Sequence, residues 1–374
     1  MATTNFAALT NEQKTIWSKD LWRQARNLSF INQFAATGPT ALVQRVTELT
    51  KSEKGARAVM TLVADMVTDG VAGDNTLEGN EESLKSYDQV IQIDQLRNAN
   101  KHRGRMADQR SVVNFREVSK DVLAYWLADR IDQMAFLTLS GELYTKTNNG
   151  NTRPLTSQLS QLAFANDVKT LTSNRRYRWD KTDGLVTANT ASVAAEDTPT
   201  YAMLVQAKAK AKASYMRGVR GPAGQETYHV FMHPLGIAKL KLDADFLANM
   251  RYAYMGTKED NPMMSGSFVM SDGLIIHEFR HVYNTTGATS GASDGTGKWG
   301  SGFAIDGQAV LLCGAQSLGM ADLGAPLWVE DGKDYENQQA ISVSKIFGFL
   351  CPQYHNIYTN QVETFGVMRI DTAI

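Results

Sequence analysis

A chain of 374 residues, 43% hydrophobic and 21% charged, can bury a sizeable core in one large or two modest domains, and neither fraction marks disorder. A formal net charge of −1 gives no global case for nucleic-acid or membrane affinity, and no apolar run approaches the ~20 residues that span a bilayer. Cys313 and Cys351, both in apolar surroundings, make no disulfide framework and read as reduced core residues of a protein made in cytoplasm.

The opening MATTNFAALTNEQK has neither the charged nor the apolar stretch of a secretory signal, which argues for a soluble intracellular product. Residues 1–38 look like an arm. Thr10 and Gln13 form a capping-box pattern, and Ile16, Trp17, Leu21, Ala25, Leu28 and Ile31 share one helix face. Gly38-Pro39 ends it. Whether that face packs on its own core or on a neighbour stays open. Residues 41–68 read as extended segments.

From Asp69 to Arg110 charge is separated along the chain: Asp69, Asp74, Glu78, Glu81 and Glu82 come first, then Arg97, Lys101, Arg103, Arg105 and Arg110. Val90, Ile91 and Ile93 suit a short strand between them. One reading is a solvated loop. The other is a long projecting loop whose two charged sides pair across a subunit boundary, where complementarity sets register more than affinity.

The longest helical pattern follows, Ser111 to Leu139, with no Gly or Pro. Val112, Phe115, Val118, Val122, Tyr125 and Trp126 recur at spacings of three and four, and Ile131, Met134 and Leu137 continue a second stripe. At ~1.5 Å per residue, roughly 29 residues make a rod of about 43 Å. Such a rod after a charged excursion suits a protein that tiles a surface.

Residues 145–200 are turn-rich, with a helix expected at Ser157–Thr172. Arg175, Arg176 and Arg178 interleave with aromatics, a pattern seen in nucleic-acid binders, but one basic patch in a neutral chain fits a structural ion-pair cluster better. Thr198-Pro199 opens a helix that Gly218 closes; its Lys208, Lys210 and Lys212 step ~200° apart and form no basic face. Beyond it, strands are expected at Glu226–Met232, Leu274–Tyr283 and Phe303–Cys313, a helix at Pro234–Met250, and two strands near the end. Without an internal repeat or linker, these pieces interleave in one α+β body.

His277-Glu278-Phe279-Arg280-His281 matches H-E-x-x-H by letters. On a helix both imidazoles would lie ~6 Å apart and reach one Zn²⁺. Within DGLIIHEFRHVYN the β-branched and aromatic context reads as strand, where four residues span ~13 Å. A zinc hydrolase is therefore the weaker reading. Gly295 to Gly300 (GTGKWG) matches G-x-G-x-x-G but sits in a Gly/Ser loop before an expected strand, without the helix a dinucleotide needs. His229 and His233 flank VFM on a strand and read as packed or surface histidines. No catalytic, cofactor or metal residues are assigned.

The run LEGNEESLKSYDQVIQIDQLRNANKHRGRMADQR, continued by FREVSKDVLAYWLADRIDQMAFLTLSG, resembles the major capsid proteins of tailed bacteriophages, particularly a podophage branch. YHVFMHPLGIAKLKLDADF, DGLIIHEFRHV and KIFGFLCPQYHN carry further similarity. The resemblance implies a Hong Kong 97 type fold: an N-terminal arm at 1–55, an extended loop (E-loop) at 56–110, and a peripheral domain at 111–198 with a spine helix at 111–142. An axial domain at 199–325 and a return to the peripheral domain at 326–374 complete it. It further implies an icosahedral head shell of hexamers and pentamers around double-stranded DNA contacted non-specifically. Scaffolding, portal and decoration proteins would be partners, assembly would take place in host cytoplasm, and no membrane would be involved. An encapsulin-like storage compartment would share the fold. On this reading Asp74, Glu78, Glu81, Glu82, Arg97, Lys101, Arg103, Arg105, Ile16, Trp17 and Leu21 are the expected intersubunit contacts.

Overall fold

The run VMRIDTA near the end of the sequence carries apolar and polar residues alike into the interior: every residue of strand Val367–Ala373 is buried. In the computed structural model, which describes residues 19–21, 23–25, 29–47, 55–63, 66, 68–83, 86–110, 115–220, 224–253, 269–292, 297–335, 337–356 and 359–374, this strand lies inside the larger sheet. It pairs antiparallel with Gly307–Cys313 and parallel with Arg176–Asp180. Among the described residues that sheet has eight strands. Glu226–Met232 and Leu274–Glu278 extend it on one side, Gly184–Thr187 on the other.

A second sheet, six-stranded among the described residues, is built on the long strand Gln338–Leu350. Leu327–Lys333 and Leu318–Asp322 pair along one side of it and Asp94–Lys101 along the other. Val43–Val46 adds in parallel to Leu318–Asp322. Sheet membership thus cuts across the segment boundaries expected from sequence. Strands at 176–187 and 367–373 share a sheet with strands of the 199–325 segment, while 318–322 joins the other sheet. Long-range pairing of this kind has no local signal.

The spine helix runs Phe115–Ser140; residues 111–114 lie outside the described set. It ends where expected. Gly141, at φ +68°, donates to the Thr138 carbonyl and Glu142 to that of Leu137, a left-handed cap that glycine takes without strain. The expected second stripe, Ile131, Met134 and Leu137, is fully buried, but the first holds only in part. There Leu123, Ala124 and Leu127 pack into a core shared with both sheets and Phe115 and Trp126 lie partly buried against it, whereas Val118, Val122 and Tyr125 are 43%, 50% and 61% exposed. Both rows have helical spacing, so periodicity does not choose between them.

Other expectations need correcting. Ser157–Thr172 forms two short 3-10 turns, Leu159–Gln161 and Ala163–Asp167, in place of a helix. Pro234–Met250 is two helices, Pro234–Leu242 and Ala244–Ala253, separated by an extended Asp243. The Asp243 carboxylate accepts from the Tyr201 amide (2.9 Å), so the break serves the neighbouring helix Tyr201–Ala213. The strand from Leu274 ends at Glu278, and the strand expected from Phe303 begins at Gly307.

Strands Arg57–Val63 and Ser86–Gln92 form an antiparallel hairpin, Arg57 opposite Gln92. Its inner face (Ala58, Met60, Leu62, Ile91) packs on Val46, Ala321 and Leu350 of the six-stranded sheet and on Phe365. A Cβ on Gly348 would lie 2.0 Å from the Gln92 carbonyl oxygen, so glycine sets how closely the hairpin root approaches. The root belongs to the subunit, and only the tip projects.

Candidate assembly surfaces

The hairpin tip carries Asp74, Glu78 and Glu81, all exposed, and a half-buried Glu82. The tip organises itself: Glu82 accepts from the Thr68 amide and hydroxyl (both 2.9 Å), and Glu81 from the Gly79 amide (2.8 Å). Arg97 and Lys101 project from the exposed row of Asp94–Lys101, and Arg103 and Arg105 follow it, both exposed. The Arg105 amide donates to Asn337 (3.2 Å). The acidic group lies beyond the hairpin's free end, and the basic group past its root. Seven residues of strand separate them, roughly 24 Å at ~3.4 Å per residue. They are not two sides of one loop, as the sequence suggested.

Of the expected arm contacts, Ile16 and Trp17 fall outside the described residues. Leu21 is helical and fully buried within its own chain, with Ala25 and Ile31 in the same core. The spine helix fixes the following turn: Asp132 accepts from the Ser29 hydroxyl (2.7 Å), the Phe30 amide (2.9 Å) and the Ile31 amide (3.1 Å). Burial pushes the Asp132 carboxyl above its ordinary range, against the pull of these donors. Leu21 therefore has no free surface in the subunit to offer a neighbour.

HEFRH lies on a strand and the turn after it, and its histidines part company. His277 Nε2 is 2.8 Å from His229 Nδ1 on the adjacent strand, the rings stacked 5.1 Å apart. Phe30, Phe34 and Phe231 surround the pair. His281 Nε2 instead meets Asp129 of the spine helix at 2.7 Å, and this hydrogen bond holds the Asp129 carboxyl below its usual range. Among the described residues no three His, Cys, Asp or Glu side chains are placed to share a metal. Glycines 297 and 300 belong to a loop paired back on itself, Trp299 exchanging backbone hydrogen bonds with Ile305 and Lys298 meeting Asp306.

Burial lowers both imidazoles of the His229–His277 pair to about 4, the second also through the first. The folded state then binds fewer protons than the unfolded chain between pH ~6.5 and about 4. Their contribution to stability is present above pH ~6.5 and is lost as pH falls through about 4. The melting temperature of the subunit is expected to fall over this range, and to fall less steeply in the His229→Gln/His277→Gln variant. Asp132 titrates in the opposite sense, so the difference in slope isolates the imidazoles. Parallel slopes by calorimetry would refute the assignment.

The arginine triplet is structural. Arg175 is fully buried and donates to Glu363 (3.0 Å), the Ser214 hydroxyl and carbonyl (2.7 and 2.8 Å) and the Thr364 carbonyl (3.1 Å). Arg176 meets Asp371, and Arg178 meets Asp180 and Asp197. Sequence reading passed over Arg369, which is buried and binds Asp371, Glu142 and the Ser140 carbonyl at the spine-helix end. The signal was present in MRIDT, two opposite charges one residue apart in an apolar strand.

A family model described as "Phage capsid protein" matches residues 5–374. A major capsid protein of Pseudomonas phage KPP25 is 56% identical over 373 residues, 99% of this chain and 97% of that one. Among solved structures, the capsid of Ralstonia phage GP4 aligns with a TM-score of 0.74 at 24% identity, covering 92% of this chain and 90% of that chain. The cyanophage Pam1 capsid aligns at 0.70 and 16% identity, over 100% and 96%. At such identities these two structures speak for the fold alone.

Proposed function

This chain belongs to the phage capsid protein family, and from that premise we propose how its copies meet and what they enclose. It is a structural head-shell protein with an α+β fold of the Hong Kong 97 type, not an enzyme. The proposal is that the acidic hairpin tip of one copy docks against Arg97, Lys101, Arg103 and Arg105 of another. One observation carries it: the acidic group is exposed beyond the hairpin's free end and the basic group past its root. Two different patches that complement each other make a heterologous contact, which closes into rings of five or six.

On this reading the rings form a closed shell around double-stranded DNA, held non-specifically, with portal, scaffolding and decoration proteins as partners and host cytoplasm as the place of assembly. The relative's designation as a phage major capsid protein favours this over a storage compartment. Electron microscopy of the purified protein is expected to show closed shells of one or a few sizes. A species that stays monomeric under all assembly conditions would refute self-assembly. Particles isolated from infected cells that contain a cargo protein in place of DNA would favour the compartment.

A further inference from the structure

The outward side of the spine helix is unusual for a subunit surface. Val118, Val122 and Tyr125 line up at i, i+4 and i+7, with Glu117 and Asp121 exposed in the adjoining row. The helix buries a different row in its own core, and among the described residues nothing covers this stripe. Shortly before it, the helix Arg105–Arg110 presents Met106, 66% exposed, and Arg110, also exposed, one turn apart on one face. One patch is acidic and apolar, the other basic and apolar. They do not cover each other within a chain, since both stay open to solvent there.

We propose that the Met106–Arg110 face of one copy packs on the Val118–Tyr125 stripe of a second copy, with Arg110 against Asp121 or Glu117. This rests on the shell reading above and adds a contact independent of the hairpin. The hairpin tip is the competing occupant, and it also exposes an apolar side chain, Leu77. Charge decides against it: Asp74, Glu78 and Glu81 would face Glu117 and Asp121, like against like.

Cross-linking between copies tests the contact. Two single variants, Met106→Cys and Val122→Cys, carry different affinity tags and are co-assembled and mildly oxidised; wild-type protein gives the background from Cys313 and Cys351. A disulfide needs Cβ atoms ~3.8 Å apart. A mixed disulfide carrying both tags is expected in assembled particles and not in dissociated subunits. Closed particles without that link, or with Val122→Cys joined to Leu77→Cys instead, would overturn the proposal. If neither cysteine variant assembles, Asp121→Lys is expected to lower particle yield at least tenfold and Arg110→Glu to restore part of it; unchanged yield would overturn it too. Absence of wild-type shells would remove the premise itself, a failure separable from a missing link in intact shells.

Discussion

Reversing Asp74, Glu78 and Glu81 to Lys is expected to leave the subunit folded and to abolish shell formation. Each side chain is exposed on the projecting tip, where substitutions stay within about 0.5 kcal/mol for the fold, and Glu81 gives up only a local bond from the exposed Gly79 amide two residues away. Glu82 is kept, because its carboxylate holds the Thr68 amide and hydroxyl and its loss would loosen the tip itself. At the proposed interface the change sets three cations against Arg97, Lys101, Arg103 and Arg105. A single exposed pair is worth only ~0–1 kcal/mol, but like charges repel at every copy of a repeated contact. Circular dichroism and thermal melts should match wild type while electron microscopy shows no closed particles. Combining the variant with Arg97→Glu, Lys101→Glu and Arg103→Glu should restore some assembly. Normal particles from the Lys variant would show that the tip is merely solvated. Loss without rescue would keep it at an interface with another partner.

Deleting residues 1–36 is expected to destabilise the subunit itself, not assembly alone. From sequence the segment looks like an arm whose apolar face could pack on its own core or on a neighbour. The structure places Leu21, Ala25 and Ile31 in the main core and hangs the turn at 29–31 on Asp132. Losing a large buried aliphatic side chain costs ~2–5 kcal/mol. A buried carboxylate stripped of its donors adds ~1–3 kcal/mol or more. Against a total stability of ~5–15 kcal/mol the deletion should leave an aggregated or non-cooperatively melting protein. Deleting residues 1–18 spares the turn and should retain a cooperative melt. A wild-type melt for the longer deletion would return the whole segment to the role of a detachable arm.

What sequence could reveal depended on how local the determinant was. Glu226–Met232 was legible at both ends because His233-Pro234 punctuates it and β-branched and aromatic residues fill it. The C-terminal end of the spine helix was legible too, since Gly141 ends an uninterrupted helical run. Its orientation in the first half was not: Val118, Val122 and Tyr125 repeat as regularly as Leu123 and Leu127, and only the sheets decide which row is covered. Asp243 breaks LKLDADF without Gly or Pro: its carboxylate caps the second helix at the Phe246 amide and also takes the Tyr201 amide, a contact invisible in the local run. The charged excursion was recognised, but its shape was not. Arg57–Val63 had to find Ser86–Gln92 across the intervening loop, which put the acids beyond the hairpin and the bases behind it.

The fully buried strand Val367–Ala373 has a bearing on quality control. It sits between Gly307–Cys313 and a segment whose Arg176 meets Asp371, 195 positions further along the chain. Any fragment lacking it has a divided larger sheet with two bare edges, and leaves Arg176 and Glu142 without buried partners. Pairings this distant in sequence close late and slowly. Broken or prematurely terminated polypeptides would thus be sorted out by their own failure to fold, before any could enter a growing lattice and leave a weak tile in the wall.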